Sequence, residues 1–170
     1  TKKQFEVFNS VAQQTNNFCW TLDKPESTMS LGSTLTKKFP DLSILLLNGP
    51  LGAGKTTLVK GIAKSLKIQE PITSPTFPLS QHYPSGSPPL IHLDLYRIEE
   101  SNMANEFFLQ EEEESKVMGA LMVVEWSDRL SLGMPDAWRG ELIYSFENQS
   151  RFFKLIPPLD KDNKLLTSSR

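Results

Sequence analysis

The segment Gly49-Pro-Leu-Gly-Ala-Gly54-Lys55-Thr56 fits the pattern G-x-x-x-x-G-K-S/T without a mismatch, and its flanks restrict what can form around it. Before it, Ser43–Asn48 holds a short continuous apolar run of the kind that suits a central parallel strand buried on both faces. After it, Lys55–Leu66 sets Leu58, Ile62 and Leu66 on one helical stripe, with Val59 and Ala63 beside them. Strand, glycine-rich loop and helix are therefore predicted in that order. Gly52 and Gly54 permit the backbone angles that turn successive N–H groups inward as an anion nest. The helix beginning near Lys55 adds its unsatisfied N–H groups and positive dipole end. This pattern assigns the Lys55 ammonium to the β/γ oxygens of a triphosphate and the Thr56 hydroxyl to Mg2+. With glycine at about 5% and lysine at about 8%, a chance match somewhere in the chain has odds of roughly one in 200. A turn that merely caps a helix is the weaker reading. A nucleoside triphosphate is the expected ligand.

The rest of the chain supplies a frame for this loop. Its 170 residues match one domain. Pro25 opens a predicted helix over Glu26–Phe39, with Leu31, Leu35 and Phe39 at helical spacing. Leu90–Leu95 alternates, setting Ile91, Leu93 and Leu95 on one face and His92 and Asp94 on the other. Residues 102–116 read as a helix that ends in the acidic run Glu111–Glu114, and Leu121–Val124 as a second apolar strand. Glu141–Phe146 and Phe152–Ile156 read as a late strand pair. Strand–helix alternation followed by late strands points to an α/β fold: three layers of the P-loop NTPase type, a mainly parallel central sheet, and antiparallel strands near the C-terminus. Residues 1–25 read as an N-terminal extension, 26–157 as the domain and 158–170 as a polar tail. Six of the 12 prolines fall between Pro71 and Pro89, which reads as one long loop of the kind that is functional or mobile.

A phosphate cradle needs an acidic group at a neighbouring strand end to hold Mg2+ or orient water. Asp94 and Glu125 both sit at such ends, where ligands of open α/β sheets gather. Glu125 follows the more buried-looking strand and is the favoured Mg2+-linked carboxylate, with Asp94 positioning water or holding the metal through water; the two assignments are interchangeable at this stage. Thr76, in Pro71-Ile-Thr-Ser-Pro-Thr-Phe77, belongs to a loop placed to sense the γ-phosphate. Its alternative is a proline-stiffened turn around a packed Phe77. Trp126 and Tyr96 read as packing residues, His82 and His92 as structural, and Arg97 as a salt-bridge partner before a charge-stabilising finger.

Composition narrows the class further. Lys plus Arg is 18 against 20 Asp plus Glu, a net charge of −2, which argues against a freestanding nucleic-acid binder. No apolar run approaches the ~20 residues of a membrane span. The single cysteine, Cys19, offers neither an internal disulfide nor a zinc site. A cytoplasmic protein that contacts neither DNA nor membrane is the expectation.

Three further strings follow the loop in order: Ser74-Pro-Thr-Phe77, His92-Leu-Asp-Leu-Tyr-Arg97 and Val124-Glu-Trp-Ser-Asp-Arg129. Together with Leu51-Gly-Ala-Gly-Lys-Thr-Thr57 they resemble the TsaE (YjeE) family of small bacterial P-loop ATPases, over about Glu26 to Leu155. The resemblance implies an ATP-hydrolysing subunit, using ATP/ADP and Mg2+, that supports formation of threonylcarbamoyladenosine beside the tRNA anticodon. It implies TsaD-like and TsaB-like partners, with tRNA met only through them, which suits an acidic chain. Carried over by position, Gly52, Ala53, Gly54, Lys55, Thr56 and Thr57 would hold the phosphates, with Thr56 and Glu125 at Mg2+. Lys55, Asp94 and Glu125 would be catalytic, and Thr76 would lie near the reacting phosphate. Thr28 matches the family's early Thr near the base, and Arg151, placed before the last strand, matches a late Arg.

Two rivals remain at the level of sequence. A small-molecule kinase shares the cradle but needs lid arginines, and the five arginines here are scattered. A non-catalytic nucleotide-dependent binding switch needs no turnover. Against a GTPase, Asn163-Lys-Leu-Leu166 lacks the guanine-reading Asp.

Overall fold

The computed structural model describes residues 17–75, 79–145 and 150–158, and a seven-stranded sheet organises them. In chain order the elements are β1 (Phe18–Leu22), α1 (Pro25–Lys38), β2 (Ile44–Asn48), α2 (Lys55–Ser65), β3 (Ser80–Tyr83) and β4 (Leu90–Asp94). There follow α3 (Ser101–Met118), β5 (Leu121–Glu125), a 3₁₀ turn (Ser127–Arg129), β6 (Trp138–Ser145) and β7 (Ser150–Ile156). The sheet order is β1-β7-β6-β2-β5-β4-β3. The four middle strands, β6, β2, β5 and β4, run parallel, while β7 and β3 are antiparallel to their neighbours and β1 is antiparallel to β7.

The central strands are apolar because both faces are covered. All five residues of β4 and of β5 are buried. On one face Leu45, Leu47, Leu90, Leu121 and Val123 pack under α1 and α2. On the other, Leu46, Ile91, Leu93, Met122 and Val124 pack with Ala104 and Phe108 of α3. The face division predicted for Leu90–Leu95 therefore holds, but the His92 and Asp94 face is as buried as the aliphatic one. The two helices on the first face touch through glycines: a Cβ at Gly32 would lie 2.3 Å from Ile62 N, and one at Gly61 would lie 2.2 Å from Met29 O. Only a hydrogen in place of a side chain permits that approach.

Three expectations change. Phe18–Leu22, assigned above to the N-terminal extension, forms edge strand β1, paired from Phe18↔Leu155 to Leu22↔Arg151. Its irregular mix of aromatic and polar residues hides a strand whose apolar contacts come from Phe39 and Phe153. The loop between Pro71 and Pro89 contains β3, whose Ser-Gln-His-Tyr sequence is mostly solvent-facing and so lacks an apolar alternation. Arg151 lies within β7 rather than before it.

Candidate active site

A cavity of about 470 Å3 opens at the carboxyl ends of β2, β4 and β5, where the glycine-rich loop, the loop after α2 and the segment after β5 converge. This is where crevices of open α/β sheets receive ligands, and the volume suits one. Gly52, Gly54, Lys55, Thr56 and Thr57 line it from one side, Ser74, Asp94, Glu125 and Trp126 from the other. Gly54, the N-cap of α2, has φ +106°, an angle that any side chain would strain. It lets the loop curl directly into the helix.

Lys55 is folded over the loop it belongs to. Its Nζ donates to Gly49 O at 2.6 Å and Pro50 O at 2.9 Å, and lies 4.5 Å from the centre of the Trp126 ring. Burial pushes its ammonium below the usual lysine range, and Glu125, Asp94 and Asp128 pull the other way. A buried cation held by neutral carbonyls and a ring face is poised to accept an anion.

The two acids divide the floor of the cavity. Parallel pairing sets Asp94 directly beside Glu125, so both carboxylates share one face of the sheet. Glu125 Oε1 accepts from Thr56 Oγ1 at 3.4 Å and from His92 Nε2 at 2.9 Å. Asp94 is held separately, accepting from Tyr96 N at 2.9 Å on Oδ1 and from Ser74 Oγ at 2.8 Å on Oδ2. The hydroxyl of Thr56 thus reaches Glu125 and not Asp94.

Trp126 carries a left-handed backbone, at φ 57° and ψ 42°. That turn lays its ring against Tyr96, with centroids 4.8 Å apart, and beside Lys55. Trp126 N donates to Leu47 O, and Ser127 Oγ donates to Asn48 Oδ1, which ties the turn to the end of β2.

Not every residue singled out from sequence lines the cavity. Ala53 is buried in the loop, its N–H donating to Pro50 O. Thr28 is buried on α1, with its methyl 3.7 Å from where a Cβ on Gly54 would sit, so it backs the loop. Arg151 pairs with Tyr144, beyond Glu141, the partner of Asn48, and so sits at the same end of the sheet but outside the cavity wall. Its guanidinium lies 5.2 Å from the Tyr144 ring. Thr76 lies outside the described residues. Sequence reading missed Ser74 as the partner of Asp94, although the Ser74-Pro-Thr string contained it. Trp126 packs as read, against the core and the Tyr96 ring, while the Glu125 partner of His92, read as structural, carries no spacing that signals it. Arg97 lines the cavity and forms no ion pair among the described residues.

The chemistry of the donors fits a hard cation shared with a bound phosphate. Among the described residues no cluster of three or more His, Cys, Asp or Glu forms a cage. Mg2+ needs none, since one or two carboxylates and hydroxyls with phosphate oxygens and water suffice.

Strand order, glycine loop and helix define a P-loop NTPase-type fold. A solved structure agrees: YdiB from Bacillus subtilis superposes with a TM-score of 0.62 at 22% identity, covering 89% of this chain and 92% of its own. Family comparison goes further, because the model for threonylcarbamoyl adenosine biosynthesis protein TsaE matches residues 22–151. The chain belongs to the TsaE family, which is assigned to tRNA threonylcarbamoyladenosine biosynthesis. Among its relatives, the TsaE protein of Nostoc sp. is 39% identical over 132 residues, 78% of this chain and 81% of that protein. That of Mycobacterium tuberculosis is 41% identical over 118 residues, 65% of this chain and 69% of its own. The match begins at Leu22, the end of β1. Among the described residues no helix is long and apolar enough to cross a membrane.

Proposed function

We propose that this chain binds ATP with Mg2+ in the cavity at the end of β2 and hydrolyses it to ADP and phosphate. We propose further that this turnover serves a TsaD-like and TsaB-like pair that forms threonylcarbamoyladenosine on tRNA. The observation that carries the reading is the bond from Thr56 to Glu125, directly beneath a glycine loop with a buried lysine. A phosphate-linked cation needs a hydroxyl and a carboxylate at that spot, and the chain supplies both.

Mg2+, when bound, neutralises charge that develops on the phosphates. The residues do the remainder. Loop N–H groups and the start of α2 bind the β-phosphate. Lys55 leaves its carbonyls for the phosphate oxygens, where its charge stabilises the transition state. Asp94, fixed by Ser74 and the backbone of Tyr96, orients a water molecule at the γ-phosphate side. Arg97 and the Tyr96–Trp126 ring pair stand at the rim, where a docked partner would exclude solvent.

The test measures phosphate release from ATP with Mg2+, alone and with the TsaD-like and TsaB-like proteins of the same cell, and co-purification with and without ATP. Turnover that rises on adding both partners, and that Glu125→Ala lowers about a hundredfold, is expected. Phosphate transfer to a metabolite, or nucleotide-dependent complex formation with no turnover at all, would overturn the reading.

A further inference from the structure

The imidazole of His92 is wholly buried in the middle of β4, flanked by Ile91 and Leu93, where an apolar side chain would be the simple choice. One of its nitrogens, Nδ1, has no hydrogen-bond partner among the described residues. Burying a polar atom in that state costs free energy, so the other nitrogen must repay it. Nε2 lies 2.9 Å from Glu125 Oε1. A carboxylate accepts, so Nε2 donates in this bond, and in the neutral ring Nδ1 is then a bare acceptor. A bare acceptor is also the form that tolerates the lack of a partner most readily.

Sheet register explains why this histidine reaches that glutamate. His92 pairs with Val123, one step of the same face below Asp94 and Glu125. It therefore stands beneath the carboxylates, opposite the mouth of the cavity. Oε1 of Glu125 accepts both His92 Nε2 and the Thr56 hydroxyl, while Oε2 takes no hydrogen bond among the described residues. With Oε1 anchored from below, the carboxylate cannot rotate freely, and Oε2 is the oxygen left for the cavity that Glu125 lines.

We propose that His92 is a positioning residue, whose Nε2–H locks the Glu125 carboxylate so that Oε2 faces the phosphate-bound cation. The inference rests on the nucleotide reading above and concerns how tightly the cation is held. Partners in this outer position set the orientation of metal-binding groups, and their loss typically costs about 10–100-fold in metal affinity.

Mn2+ serves as the probe, its free concentration followed by electron paramagnetic resonance while the full chain is saturated with ADP. His92→Leu is expected to raise the half-saturating Mn2+ about tenfold or more, with ADP affinity in EDTA unchanged. His92→Gln, whose amide nitrogen stands as far from the backbone as Nε2, is expected to recover most of the loss. Nitrogen NMR on the wild type gives a reading that needs no variant, since the chain has two histidines. It should show His92 protonated on Nε2 and bare on Nδ1. Unchanged Mn2+ affinity in His92→Leu, equal losses with and without metal, or a proton on Nδ1 would overturn the proposal. If His92→Leu fails to fold, His92→Gln and the NMR reading decide it alone. Should the wild type with ADP take up no Mn2+, the nucleotide reading fails and this one with it; uptake that His92→Leu leaves intact overturns only this one.

Discussion

The centre of the sheet and its aromatic flank solve different problems with similar backbone. In β2, β5 and β4 the strands are parallel, aliphatic and covered on both faces, and each ends where the cavity begins. In β6, β7 and β1 the pairing at the edge is antiparallel, and aromatic rings carry the packing. Phe18 meets Phe39 at 4.8 Å, Phe39 meets Trp138 at 5.0 Å, and Trp20 meets Phe153 at 5.9 Å between ring centroids. Parallel strands deliver Asn48, Asp94 and Glu125 to one rim because they point the same way. Antiparallel neighbours end at opposite rims, as β6 and β7 do. The flank's contribution is to seal the core beside the glycine loop, where a Cβ on Gly49 would lie 2.8 Å from the carbonyl of Leu142 in β6.

That contrast breaks if the two regions fail to separate experimentally. Phe153 is fully buried in the flank, and Phe153→Ala should cost about 3–5 kcal/mol of unfolding free energy in urea. ADP affinity of the folded fraction should stay within twofold; a large loss would show that the flank shapes the site. Lys55→Ala should do the reverse. ATP turnover should fall about 100–1,000-fold, or roughly 2.7–4 kcal/mol of transition-state stabilisation, with the urea midpoint nearly unchanged. Wild-type turnover would remove Lys55 from the mechanism.

The smallest effect is a pH dependence. Burial lowers the Lys55 pKa below that of an unfolded lysine, so in the window between the two values the unfolded chain binds more protons. Stability without nucleotide should therefore rise with pH across that window. The same measurement on Lys55→Met should lose this component, whereas an identical slope would assign it to other groups. A bound phosphate raises the lysine's pKa again, so binding in that window should take up protons. Calorimetry in two buffers of different ionisation heat reads that uptake.

Legibility followed locality. The glycine loop was readable because N–H nests, helix start and lysine reach are all set within eight consecutive residues, Gly49 to Thr56. Both acids were readable as strand-end residues, and the buried centre as aliphatic runs. β1 was not, since its partners are remote in sequence: its ladder runs from Phe18↔Leu155 to Leu22↔Arg151, and the Phe18 ring packs on Phe39. β3 was not, because an edge strand with polar, exposed side chains carries no period that distinguishes it from a loop.

Sequence by itself determined that a strand, a glycine-rich loop and a helix would follow one another, and that this chain resembles one family of proteins. Tertiary structure alone decided which acid meets Thr56, that Ser74 holds Asp94, and that His92 stands under Glu125. Those contacts span 69, 20 and 33 residues of chain. Spacing along a sequence encodes neighbours on one helix or strand, whereas the register between two strands is fixed only when the whole sheet closes over its core.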